Sequence, residues 1–138
     1  MRALVQRVSR AAVSVDGRVV AAIGPGLLVL LGIARDDDLA TADRLADKIC
    51  ALRVFNDAEG RMNEALGERE ILCISQFTLY GDTRRGNRPS FAAAASSEHA
   101  EPLYERFCTR AGARGGVFGA HMAVELVNDG PVTLLVEL

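Results

Sequence analysis

The stretch LLVLLGIARDDD, residues 27–38, joins a continuous apolar run to three acidic residues. A run of Leu, Val and Ile without alternation is typical of a strand buried on both faces. Acidic residues favour the positive end of a helix dipole, and apolar residues recur at helical spacing from Leu39 to Leu52. We therefore expect a central strand over Leu27–Ala34, followed by a helix that packs one face on the sheet.

A β-hairpin is predicted before this strand. Residues 2–8 alternate apolar and polar side chains, and Ala12–Val15 leads through Asp16-Gly17 into Arg18–Ile23. Asp-Gly between two such runs is among the strongest short-range hairpin signals. The N-terminal part of the chain should therefore form antiparallel strands.

The rest of the chain indicates shorter strands and a second helix. We expect short strands near residues 53–55 and 71–77, and a helix over roughly 98–111 whose start Pro102 obscures. Two last strands, Met122–Val127 and Val132–Val136, should be joined by an Asn-Asp-Gly-Pro turn. The fold class predicted is α+β: a strand-dominated, β-barrel-like mixed sheet with two outer helices, in a single domain over residues 1–138.

Composition excludes several classes of protein. The chain has 138 residues, 49% of them hydrophobic, which suffices for a proper core without disulfide staples. The net charge of -2 argues against bulk electrostatic coating of nucleic acid.

No run is long and apolar enough for a membrane span, and arginines at positions 2 and 7 argue against a signal peptide, so we expect a cytoplasmic protein. Three dispersed cysteines without a C-x-x-C pair signal neither a disulfide framework nor a metal site, and no cofactor is expected.

Two segments carry groups that could serve a functional site. Ser75-Gln76-Phe77-Thr78-Leu79-Tyr80-Gly81-Asp82 places hydroxyl and amide groups at the end of an apolar strand. These groups either build a site or merely satisfy the backbone where the sheet turns. The segment Asp82–Arg88 carries Arg84, Arg85 and Arg88, so it is either an ordinary solvated loop or a loop that contacts phosphates.

The sequence shows no conventional pattern of catalytic residues. His99 and His121 are the only histidines, and no Ser-His-Asp order or metal-ligand spacing surrounds either of them. Each is therefore interpreted as a surface or hydrogen-bonded histidine rather than a general base.

Gly130 and Pro131 stand directly before the last apolar run. Proline cannot donate to a sheet ladder, so Pro131 must lie at a strand's first residue, on an edge or at a bulge. Because only about 5–6% of X-Pro bonds are cis, the residues alone favour a trans bond here.

Three motifs together carry a family resemblance: SQFTLYGD at 75–82, RPSF at 88–91 and NDGPVT at 128–133, behind the opening MRALVQRVSRAAVSVDG. The chain resembles the D-aminoacyl-tRNA deacylase family over essentially its whole length. The resemblance implies a homodimer that hydrolyses the ester bond of D-aminoacyl-tRNA, with glycyl-tRNA as a second substrate. It also implies that the Gly130-Pro131 bond is cis and that this pair reaches into the partner's active site, where its carbonyls bind the α-ammonium and exclude L-amino acids.

The resemblance also assigns roles to side chains. Ser75, Gln76, Phe77 and Thr78 would form the catalytic pocket, with the backbone N–H groups of residues 76–78 as oxyanion donors. The threonine matching Thr78 is variously a nucleophile or a positioning group, with the terminal ribose hydroxyl as an alternative proton carrier. Without a visible base, we expect Thr78 to position rather than attack.

The resemblance also assigns residues to the selection of D over L substrates and to RNA binding. Arg7 would hold the Gly-Pro loop, and Met122 either lines the pocket or belongs to the core. Arg84, Arg85 and Arg88 become candidates for binding the tRNA acceptor end.

His121, where the family more often has Asp, and a shorter segment at 63–70 depart from the pattern without touching its motifs. The rival interpretation is a non-enzymatic nucleic-acid-binding homodimer of the same fold, and a purely structural dimer is a third.

Overall fold

The long first strand organises the molecule, which the computed structural model describes over residues 1–138. The elements in chain order are β1 (Arg2–Val15), β2 (Arg18–Ile23), β3 (Gly26–Gly32), α1 (Leu39–Cys50), β4 (Phe55–Asn56), β5 (Met62–Glu64), β6 (Glu70–Ser75), a 3-10 helix (Phe77–Tyr80), α2 (Ser97–Ala111), β7 (Arg114–Gly115) and β8 (Ala123–Glu137). The first half of β1 pairs with β3 and its second half with β2, while β8 follows the opposite edge throughout.

The main sheet is mixed and has the order β2-β1-β3-β6-β7, with β8 beside β1. The β3–β6 and β6–β7 pairs are parallel, and the others are antiparallel. Across the gap between β7 and β2, Arg114 Nη1 donates to the carbonyl of Ala22 at 3.0 Å. The sheet is therefore a nearly closed barrel, and the α+β prediction of a strand-dominated, barrel-like sheet is confirmed.

Two apolar cores lie on the two faces of this sheet. The larger core joins one face of β1, β3 and β6 to the apolar faces of both helices. The smaller core fills the barrel interior, around Val8, Leu28 and Leu72. Strand β3 contributes to both cores and stands in the middle of the sheet order, as the unalternating run 27–34 predicts.

Both helices begin at side-chain caps. The carboxylate of Asp38 accepts from the Thr41 N–H at 2.8 Å, and the Ser96 hydroxyl accepts from the His99 N–H at 3.4 Å. Hydrogen bonds from Thr41 lower the pKa of Asp38, so this cap is charged at neutral pH. Pro102 lies inside α2 without ending it. Neither helix has the length and apolar character needed to cross a bilayer.

The prediction of two C-terminal strands joined by a turn is wrong. Residues 123–137 run along β1 as one strand, with Asn128 opposite Val8 and Thr133 opposite Gln6. Between these two pairs β1 advances by two residues and β8 by five. The three extra residues of β8 therefore form a bulge, and the chain does not reverse its direction. Pro131 lies in this bulge, as the absence of a donor requires, and its bond to Gly130 is cis.

Candidate active site

A groove of about 1020 Å³ opens where β6 ends. Its walls are the residues after β6, the first turn of α2 and the loop 118–122 before β8. Four of the predicted site residues line this groove: Ser75, Gln76, Phe77 and Met122. No aspartate or glutamate lines it, although the chain as a whole is acidic. The groove is therefore suited to a ligand that carries negative charge.

The 3-10 helix is held against the end of β3 by close contacts. The Gln76 N–H donates to the carbonyl of Leu31 at 2.7 Å, and Arg2 Nη1 donates to the carbonyl of Leu79 at 3.0 Å. A Cβ at Gly32 would lie 3.0 Å from the Leu79 Cβ, so any larger residue there would have to push the 3-10 helix outward by a few tenths of an ångström. The rim of the groove is consequently fixed by the core sheet.

The predicted oxyanion donors are reduced from three to two. The Gln76 N–H is engaged with Leu31, whereas the N–H groups of Phe77 and Thr78 begin the 3-10 helix, where no intrahelical acceptor precedes them. Phe77 is 54% exposed and lines the groove.

Thr78 has no general base beside it. Its hydroxyl accepts a hydrogen bond from the side-chain amide of Gln76, and an amide cannot take a proton from it. Burial raises the pKa of Tyr80 to about 12, so that phenol stays protonated and is no base either. Met122 combines its two predicted roles, because it lines the groove and packs against the smaller core.

The arginine-rich loop lies outside the groove but next to it. Backbone hydrogen bonds between Asp82 and Ser90, at 2.8 and 2.9 Å, close the loop, and Phe91 follows on the groove wall. Arg84 forms a two-pronged ion pair with Asp82 at 2.9 and 2.7 Å, which lowers the pKa of Asp82 to about 2. Arg85 and Arg88 have no such partner, so they are better placed to receive an anion.

The Gly130-Pro131 bulge is held by Arg7, which is only 7% exposed. Arg7 Nε donates to the carbonyl of Asp129 at 2.8 Å, and Nη1 donates to the carbonyl of Val54 at 2.8 Å. The Asn128 carboxamide spans the base of the bulge by accepting from the Val132 N–H at 2.8 Å. The structure therefore presents Gly130 and Pro131 as exposed residues on a braced loop.

The bulge and the Ser75 wall of the groove lie level with opposite ends of β3. Arg7 pairs with Leu27 on β3, whereas Ser75 pairs with Leu31, four residues further along. At about 3.3 Å per residue the two ends are roughly 13 Å apart along the strands. The structure therefore does not bring Gly130, Pro131 and Arg7 together with Ser75–Thr78 within one chain.

Comparison with known proteins decides the family. A profile described as D-Tyr-tRNA(Tyr) deacylase matches residues 4–137. The chain belongs to the D-Tyr-tRNA(Tyr) deacylase family. The D-aminoacyl-tRNA deacylase of Symbiobacterium thermophilum is 58% identical, over 99% of this chain and 95% of that protein. The D-aminoacyl-tRNA deacylase of Deinococcus radiodurans is 53% identical, over the whole of both chains. The resemblance drawn from the motifs is thus confirmed, and the chain is an enzyme of this deacylase family.

Two solved structures share the deacylase fold of this chain. One is a c-Myc DNA unwinding element binding protein, 41% identical, with a TM-score of 0.94 over 100% of this chain and 99% of that one. The other is described as a probable eukaryotic D-amino acid tRNA deacylase, with a TM-score of 0.87 over 99% of this chain and 98% of that one. At 16% identity, the second likeness concerns the fold alone.

Sequence reasoning missed several groove residues in this deacylase. Arg35, Phe91 and Ser97 line the groove but come from three separate segments of the chain. Phe91 belongs to the RPSF motif and could have been chosen on that ground. Nothing local distinguishes Arg35 from a helix-flanking charge, because its position depends on the pairing of Ala34 with Ala94.

Proposed function

We propose that this protein hydrolyses the ester bond of D-aminoacyl-tRNA, releasing tRNA and the free D-amino acid. The observation that carries the proposal is the carboxylate-free groove lined by Ser75, Gln76 and Phe77 in a member of this family. An aminoacyl ester on a ribose is already an activated bond, so hydrolysis mainly needs a positioned water and a stabilised oxyanion. The N–H groups of Phe77 and Thr78 supply the second requirement.

Chirality is sorted by the Gly130-Pro131 bulge of a second copy of the chain. The carbonyls of the pair accept hydrogen bonds from the substrate's α-ammonium, and an L side chain then collides with them while a D side chain points away. The support for a second copy is geometric, since Arg7 braces the bulge level with the start of β3, whereas Ser75 of the groove lies level with the end of β3. Glycine has no side chain to exclude, so glycyl-tRNA is also a substrate.

A row of apolar side chains supports the homodimer. Leu4 lies opposite Leu30 on β3 and opposite Leu135 on β8, so the three leucines share one face of the sheet. Leu135 is 56% exposed, and Leu30 lies opposite Ile74, which lines the groove. A second copy seated on this row would therefore cover apolar surface directly beside the active site.

The acceptor end of the tRNA enters past the arginine-rich loop. Arg85 and Arg88 bind its phosphates, and Arg84 contributes less because Asp82 neutralises it. The free hydroxyl of the terminal ribose carries the proton that no side chain at Thr78 can take.

Paired deacylation tests the proposed function. Purified protein should remove D-tyrosine from tRNA at least about 100-fold faster than L-tyrosine, because the Gly130-Pro131 bulge discriminates at the chiral centre itself. Loss of each ester is followed beside a control without enzyme, and glycyl-tRNA is measured in parallel. Decay of both tyrosyl esters at the control rate would refute the proposal.

The rival function is nucleic-acid binding without catalysis, which the name of the 41% identical c-Myc DNA unwinding element binding protein favours. The same experiment separates the two functions when tRNA binding is measured alongside ester loss. Binding with an intact D-ester supports the rival, whereas turnover of the D-ester supports the deacylase.

Thr78→Ala should retain most of the turnover, within about threefold of wild type, because its hydroxyl faces an amide and not a base. Initial rates of D-tyrosyl-tRNA hydrolysis measure this, with Thr83→Ala on the neighbouring exposed loop as the matched control. A natively folded Thr78→Ala protein without activity, together with an active Thr78→Ser protein, would instead identify Thr78 as the nucleophile.

A further inference from the structure

We propose that the groove contains a subsite for the nucleotide that precedes the terminal adenosine, where Phe91 stacks on its base and Arg35 binds the phosphate that joins the two nucleotides. The inference rests on the proposed function, since it assigns a further part of the same substrate to the same groove. It adds two specificity-determining residues, Arg35 and Phe91, to which the resemblance assigns no role.

Arg35 is a free guanidinium on the groove wall. Most other arginines donate to carboxylate or carbonyl oxygens, as Arg106 does to Asp43 at 2.6 and 2.7 Å, whereas the Arg35 side chain has no protein partner. It is also the groove's one arginine, and no lysine or carboxylate lines the groove. An unpaired guanidinium facing such a groove is suited to a phosphate.

The substrate offers Arg35 only one kind of anionic group, the phosphate of its RNA backbone. In an aminoacyl ester the carboxylate of the amino acid is consumed by the bond to ribose, so the ester end carries no negative charge. The nearest negative charge is the phosphodiester on the 5′ side of the terminal adenosine. Arg35 is therefore assigned to that phosphate and not to the amino acid.

Phe91 offers an exposed aromatic face beside this charge. It is 38% exposed, lines the groove and packs edge-on against Phe77, with ring centroids 5.0 Å apart at 71°. Bases of single-stranded RNA stack on such rings with little regard to sequence. Two aromatic rings at an angle can serve two successive nucleotides, with Phe77 beside the ester and Phe91 one step further out.

Backbone contacts place the segments that carry the two groups side by side. The Arg35 N–H donates to the carbonyl of Ala93 at 3.4 Å, and Ala34 pairs with Ala94. Arg35 thus lies beside a segment that begins two residues after Phe91. The groove volume of about 1020 Å³ also reaches the top of the range of roughly 300–1,000 Å³ for pockets that hold one drug-sized ligand, which leaves room beyond the ester.

Short substrates test the subsite. D-tyrosyl-adenosine lacks the phosphate and the second base, and the D-tyrosyl ester of the dinucleotide CpA carries both. Wild type should show a kcat/KM on the dinucleotide at least about tenfold higher. Arg35→Ala should lose about tenfold on the dinucleotide with less than twofold change on the adenosine ester, and Phe91→Leu about fivefold with the same selectivity. Arg18→Ala is the matched control, because Arg18 is exposed, unpaired and outside the groove.

The salt dependence gives a second readout. Loss of one phosphate contact should reduce the slope of log kcat/KM against log salt on the dinucleotide by about 0.7. Equal wild-type rates on the two short esters, or an equal loss on both in Arg35→Ala, would overturn the subsite while D-tyrosyl-tRNA is still hydrolysed. Failure of wild type on D-tyrosyl-tRNA itself would overturn the proposed function and the subsite with it.

Discussion

Gly130→Ala should lower kcat/KM for D-tyrosyl-tRNA by about 100-fold, because a displacement of about 1 Å in a positioning group costs that much. Gly130 has φ +143°, a conformation that L side chains rarely adopt. An added Cβ would lie 2.9 Å from the Val132 Cγ2 and 3.0 Å from the Arg7 Nη2. The bulge must then shift against the side chain that braces it, and its carbonyls leave the positions proposed to bind the α-ammonium.

Gly17→Ala is the matched control for this substitution. Gly17 also has a positive φ, +79°, but lies in the β1–β2 turn with nothing within 4 Å of an added Cβ. Both variants should lose about 1 kcal/mol of unfolding free energy, which urea denaturation measures. Only Gly130→Ala should lose activity, and full activity of that variant would refute the assignment of the bulge.

A mixing experiment tests whether the bulge acts across subunits. Ser97→Trp places a large ring on the exposed first turn of α2, where it should fill the groove and abolish turnover while leaving the bulge intact. After subunit exchange with Gly130→Ala, half of the proposed dimers should be mixed, and each mixed dimer should have one complete site of two. About a quarter of the wild-type activity should return. If the bulge served its own chain's groove, no activity would return.

Arg7→Ala should lower the unfolding free energy by about 3 kcal/mol and the activity by about 100-fold. Its loss leaves the carbonyls of Val54 and Asp129 without their donors, and at least the Val54 contact is buried. Each unsatisfied buried acceptor costs about 1–3 kcal/mol. Denaturant titration and D-tyrosyl-tRNA hydrolysis measure the two effects.

Two further variants separate bracing from folding. Arg7→Lys keeps the charge but cannot direct a rigid fork at both carbonyls, so it should fold and still lose about tenfold in activity. Arg10→Ala removes an exposed arginine from the same strand and should change neither quantity by much. An Arg7→Lys protein as active as wild type would show that the fork is not required.

Much of the fold follows from local patterns in the sequence. The β1–β2 hairpin depends on Asp16-Gly17, β3 on an apolar run, and α1 on an acidic cap with apolar residues at helical spacing. Each of these signals acts over a few residues, so a short window of sequence contains it entirely. The SQFT and NDGP motifs likewise marked the family, because their residues are contiguous.

The arrangement of the site was decided only by the tertiary structure. Whether residues 123–137 turn back or continue depends on register against β1, and register depends on contacts more than 100 positions apart in sequence. The same holds for Arg35, which reaches the groove only because Ala34 pairs with Ala94. By themselves, the local patterns determined the β1–β2 hairpin, β3, α1 and the polar groups that follow β6. Long-range strand pairing decided that Ser75–Thr78 and the Gly130-Pro131 bulge are kept apart within one chain, because a short window of sequence contains no information about distant backbone partners.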